Sequence, residues 1–149
     1  MTRSERLDVV QQVTSRNERE HAERVAAAQR NLKEMEDKHA ALVKYRGEYE
    51  AGFAARSRGG FDAVGMRDFQ AFLAKLGEAL TAQGEVVKQA QAALDAVRAQ
   101  WREAAQRAHV VDSLAERWQS EGTRAANRRD QNETDELSSQ RAAQREQMK

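Results

Sequence analysis

The residues best able to do chemistry in this chain are three histidines, His21, His39 and His109, set among 24 carboxylates. A zinc site on a helix needs two histidines four residues apart with a carboxylate beside them, and none of the three has that spacing. His39 falls on an apolar stripe and reads better as a polar register device than as a ligand. With no cysteine, there is neither a thiolate metal site nor a disulfide framework. The carboxylates sit on solvated helix faces, with no concave pocket to raise a pKa. Gly59-Gly60 lacks the neighbouring Lys-Ser or Lys-Thr of a phosphate loop. Catalysis, a cofactor, a metal and a small-molecule ligand are all unexpected. Arg124, Arg128 and Arg129 form a small basic cluster, but Asp130, Glu133, Asp135 and Glu136 follow at once and the formal net charge is only +1. A basic DNA-reading helix carries a denser run, so nucleic acid is not an expected partner.

Aromatic residues are the other unusual group. Tyr45, Tyr49, Phe53, Phe61, Phe69 and Phe72 all lie in one segment, although aromatics make up only 5% of the chain. Two readings stay open. Tyr45 and Phe72, with Leu42, Leu76, Ala79 and Gln83, form either a locally wider core or an apolar strip on the outside, and exposed aromatic surface on a charged helix pair marks a docking site.

What positions these residues is helix. Charged residues reach 33%, mean hydropathy is −0.90 and proline is absent, which together describe long solvated helices rather than a layered core. From Phe69 to Ala125 an apolar seam runs through Leu73, Leu76, Leu80, Val87, Ala90, Leu94, Val97, Trp101, Ala104, Ala108, Val111, Ala115 and Trp118. Only Gln83 and Gly122 interrupt it over about eight heptads. A second seam begins at Val25 and continues through Ala28, Leu32, Met35, His39, Leu42, Arg46, Tyr49 and Phe53. Upstream, Leu7, Val10 and Thr14 keep the spacing, while Asn17 and Glu18 break it. Thr2 with Glu5 has the form of a capping box at the start, and Glu20–Arg24 and Glu34–Lys38 are i,i+4 ion pairs.

Gly47, Gly52, Gly59, Gly60 and Gly65 cluster between the two seams and mark a bend, after which Asp62 or Asp68 is placed to cap the second helix. With the turn at Gly59-Gly60, Phe53 faces Phe69, Leu42 faces Leu80 and Val25 faces Val97, so apolar meets apolar. The expected architecture is all-α: one long antiparallel two-helix coiled-coil hairpin with a polar C-terminal helical overhang. Its expected parts are helix one at 1–55, a Gly-rich bend at 56–65, the helix-two seam at 66–125 and the overhang at 126–149. The Leu-rich and Phe-rich bend end should be the most stable, and the Ala-rich stretch from Ala104 to Ala125 should open first, because burying Ala contributes far less than burying Leu. The start lacks the apolar core of a secretory signal and no run approaches a membrane span. A cytoplasmic, monomeric hairpin is therefore expected.

In order and spacing, the chain resembles the flagellar FliJ family. The resemblance rests on the Arg3–Leu7 start, Ala28-Gln29-Arg30, and Tyr45-Arg-x-x-Tyr49 at the end of helix one. It continues with a Phe-x-x-Phe-Leu-x-x-Leu-x-x-x-Leu-x-x-Gln opening from Phe69 to Gln83, Trp101, Leu114–Arg117, and Arg128-Arg129-x-Gln131-x-x-x-Asp135-Glu136-Leu137. The resemblance implies a non-enzymatic stalk of the flagellar type III export apparatus that contacts the export ATPase ring and the membrane export gate and assists export chaperones. Such a protein would associate peripherally with the inner face of the cell membrane. It implies ATPase contacts at Arg128, Arg129, Gln131, Asp135, Glu136 and Leu137, and gate contacts at Tyr45, Tyr49, Phe72, Leu76, Ala79 and Gln83. Two alternatives stand beside it: the equivalent stalk of a virulence type III secretion system, and a generic self-associating coiled-coil scaffold.

Overall fold

A computed structural model describes residues 1–60 and 62–148. Phe61 and Lys149, both named in the sequence reading, lie outside the described residues. Two helices account for nearly all of the rest: α1, Arg3–Ser57, and α2, Ala63–Gln147. No strand occurs among the described residues.

Both helix starts are capped by side chains that satisfy otherwise orphaned backbone donors. At α1 the Thr2 amide donates to the Glu5 carboxylate at 3.0 Å, and the Glu5 amide donates to the Thr2 hydroxyl at 3.1 Å, a reciprocal capping box. At α2 the Gly65 amide donates to Asp62 Oδ1 at 2.8 Å, which makes Asp62 the cap rather than Asp68. The connection is shorter than the glycine cluster suggests. Gly47 and Gly52 lie inside α1 and Gly65 inside α2. A glycine costs a helix interior only about 1 kcal/mol, which long flanking helices absorb. Among the described residues only Gly60 takes a left-handed backbone, with φ of 84°, and its amide closes the turn on the Ser57 carbonyl at 2.9 Å.

The chain divides into two compact units, Glu18–Glu103 and the pair of segments Met1–Asn17 with Ala104–Lys149. Within Glu18–Glu103 the two helices pack antiparallel around the turn. Phe53 stacks on Phe69 with centroids 3.6 Å apart and planes at 9°. Gln83 Nε2 donates to the Met35 carbonyl at 3.1 Å, and the Trp101 indole N–H donates to Glu18 Oε1 at 2.7 Å. Among the described residues of this unit the buried side chains are Leu76, Leu80, Ala90 and Leu94. They all sit on α2, and α1 has no buried residue among those described. In the other unit, Ala104 and Ala108 are the buried residues, and Gln11 Nε2 donates to Asp112 Oδ1 at 2.9 Å. Alanine at these positions lets the facing helix approach closely, so small side chains become the least exposed ones.

Several seam positions differ from the spacing. Arg46 and Gly122 are exposed, and Val10 is 46% exposed while its neighbour Gln11 takes the inward place. The seam drifts because an apolar repeat near 3.5 does not match 3.6 residues per turn. Asn17 and Glu18 do not leave the stripe; both are half-buried. Glu34–Lys38 forms the expected ion pair at 3.7 Å, whereas Arg24 turns from Glu20 to His21 Nδ1 at 3.5 Å.

The Trp101–Glu18 bond makes a local prediction. A hydrogen bond to a charged acceptor in a half-buried setting contributes roughly 1 to 2 kcal/mol. Glu18→Ala should destabilise by about that amount, and Glu18→Gln, which keeps an acceptor, by less than half of it. Urea titration followed at the tryptophan emission measures both; equal losses would show that the carboxylate acts only through its packing.

Candidate docking surfaces

The aromatic cluster is built by one turn of α1 against the first turns of α2. Tyr49 lies between Phe69, at 5.4 Å and 17°, and Phe72, at 4.3 Å and 51°. Tyr45 meets the edge of Phe72 at 6.2 Å and 80°. These are the offset, tilted and edge-on arrangements that aromatic quadrupoles favour. Tyr45 remains 48% exposed, whereas Tyr49 and Phe72 are half-buried.

The structure divides the six residues of the gate set unequally. Tyr45 and Ala79 face solvent, and Phe72 and Tyr49 present partial faces. Leu76 is buried at 7% exposure and belongs to the seam, which corrects its placement on an outer strip. It occupies the contact row of α2, and a leucine there is covered by the opposing helix. Gln83 is half-buried and spent on the Met35 carbonyl, so it fastens the helix pair as much as it offers a surface. The core is wider here, and Tyr45 and Ala79 stay exposed beside it.

The overhang set is uniform. Every described residue from 126 to 148 is exposed, including Arg128, Arg129, Gln131, Asp135, Glu136 and Leu137. Leu137 is 55% exposed on an otherwise polar helix. Helix α2 continues to Gln147, and Ala125 is the last of its residues to be even half-buried. An amphipathic stripe that stops while its helix goes on leaves twenty-odd residues whose side chains have no intramolecular surface to cover.

Two contacts escaped the sequence reading. The Glu18 carboxylate, by spacing a break in the seam, accepts from the Trp101 indole N–H, and the Arg3 guanidinium lies over the Trp118 ring at 3.4 Å from its centroid. A turn at Gly59-Gly60 already sets Arg3 almost opposite Trp118, so the signal was present in the register; apolar pattern alone does not report a cation on an aromatic face. The three histidines are placed apart, and among the described residues no group of three His, Asp or Glu side chains converges to hold a metal ion. No described helix is long and apolar enough to cross a membrane.

Comparison with known proteins gives one family. The family model described as "Flagellar FliJ protein" matches residues 3–147. No match was found among the curated proteins or among the solved structures.

Proposed function

This chain belongs to the flagellar FliJ family, and from that premise we propose that it is a non-enzymatic coupling stalk of the flagellar protein export apparatus. In this reading the exposed extension of α2 beyond Ala125 enters the export ATPase ring, and the tyrosine-edged strip near the turn engages the membrane export gate. Partner binding at the two places lets the state of the ring be conveyed to the gate. Handling of export chaperones, a monomeric state and a cytoplasmic location at the inner face of the membrane belong to the same reading.

The observation that carries it is the extension itself. A helix of this length with no buried residue after Ala108 is costly to order for its own sake. Its mixed charges suit a polar channel: Arg128 and Arg129 precede Asp135 and Glu136 by about two turns. Such a surface offers charge-assisted hydrogen bonds of both signs to a ring of side chains. The gate set is supported more weakly, by Tyr45, Phe72 and Ala79, since Leu76 is covered and Gln83 is engaged.

ATP hydrolysis by the purified export ATPase, titrated with the full chain and with a chain ending at Gly122, tests the reading. Stimulation by the full chain and none by the shorter one is the expected result. Absence of any effect from the full chain, under conditions in which the ATPase oligomerises, would overturn it in favour of a self-associating scaffold.

A further inference from the structure

We propose that the groove between residues 1–17 and 104–125 is a guanidinium receptor, filled in cis by Arg3 and open in trans to an arginine-bearing segment of a partner protein. None of its residues belongs to the ATPase or gate sets, so it goes beyond the coupling reading and is tested without either partner.

The groove has a volume of about 960 Å³ and an apolar floor that includes Leu7, Ala115 and the Trp118 ring. Four carboxylates line it, Asp8, Asp112, Glu116 and Glu121, against the single cation Arg3. Asp112 is engaged by Gln11. Asp8, Glu116 and Glu121 have no ion-pair or hydrogen-bond partner among the described residues, and neither does the Arg3 guanidinium, which lies over the tryptophan face. Arg3 therefore shows what the floor accepts: a guanidinium over an indole face. A guanidinium is planar and weakly hydrated, so it stacks and still donates, whereas an ammonium is a compact, strongly hydrated point charge. The unpaired carboxylates around the ring supply acceptors for a second, better placed guanidinium.

Replacing Arg3 in trans demands little of the fold. Arg3 is the first residue of α1 and its side chain is exposed, so a change of rotamer clears the ring while the Thr2–Glu5 capping box keeps the helix start. The groove is also larger than one guanidinium fills, which leaves room for the residues flanking an incoming arginine. The expected ligand is thus a basic segment with at least one arginine, and the site should rank arginine above lysine at equal charge. A purely electrostatic acidic rim would not.

The test uses the full chain labelled with ¹⁵N. The indole N–H signal of Trp118, identified by its loss in Trp118→Leu, is followed during titration with tetra-arginine and with tetra-lysine at the same ionic strength. Tetra-arginine should bind at least several-fold more tightly. Arg3→Ala should tighten it further, by about two- to five-fold, because the competitor in cis is gone. Asp8→Asn with Glu121→Gln should weaken both peptides while helicity stays unchanged. Equal binding of the two peptides, an Arg3→Ala affinity equal to that of the parent, or no perturbation of the Trp118 signal would each overturn the proposal.

Discussion

Leu94→Ala is expected to destabilise the Glu18–Glu103 unit by about 3 kcal/mol, within the range seen when a buried leucine is truncated. At 2% exposure Leu94 is the least exposed large side chain among the buried residues, and the facing helix has no buried residue of its own to slide into the void. A two-helix layer also has no third element that could collapse onto the cavity, so relaxation is limited and the cost stays within that range. Ala104 tests the opposite failure. It is 0% exposed in the unit that holds it, and Ala104→Leu inserts three carbons at a fully covered position, for an expected loss of about 1 to 3 kcal/mol. Val110→Ala, at a position 59% exposed, should change stability by less than about 0.5 kcal/mol, and in the stabilising direction because alanine is the better helix former. Urea unfolding of the three variants by circular dichroism measures all of this. Equal, small shifts for Leu94→Ala and Val110→Ala would mean that the seam does not carry the stability.

The second large effect separates packing from docking at the aromatic cluster. Tyr49→Ala removes a ring held between Phe69 and Phe72 and should cost about 2 to 3 kcal/mol of stability, from lost burial and lost ring contacts. Tyr45→Ala removes a ring that touches only the edge of Phe72 and is 48% exposed, so stability should fall by about 1 kcal/mol or less. If the strip docks the export gate, the order reverses in a binding assay on the folded proteins. Tyr45→Ala should weaken gate binding at least about ten-fold, as an exposed tyrosine at the centre of an interface does. Gate affinity unchanged by Tyr45→Ala would leave the cluster as core alone and remove the gate contact from the proposed function.

The two substitutions also show why the cluster was only half legible beforehand. Spacing placed Tyr49, Phe53 and Phe69 on the contact rows and left Tyr45 and Phe72 beside them. It set Leu76 in the seam and in the outer strip alike, and whether such a residue is covered depends on where the partner helix lies. The polar residues divide in the same way. Gln83, Asn17 and Glu18 read as flaws in an apolar pattern, and the structure turns Gln83 and Glu18 into cross-helix bonds to the Met35 carbonyl and the Trp101 indole. Hydropathy reports the cost of burying a polar group and is silent about the partner that offsets it.

What the sequence determined by itself is the class and the pairing. Absence of proline, two apolar rows at helical spacing and glycines between them require two helices folded back on each other, because a one-sided stripe is stable only when covered. The same rows end at Ala125, so the exposed continuation of α2 was legible too. The tertiary structure alone decided which glycine makes the turn, which seam residues are buried, and where the charges of the stripe's edges go. Those depend on a few ångströms of approach between two backbones: Ala104 and Ala108 end up buried, while the Trp118 ring takes the Arg3 guanidinium on its face. A periodic pattern specifies direction around a helix axis, and the distance to the neighbour is set only when both surfaces meet.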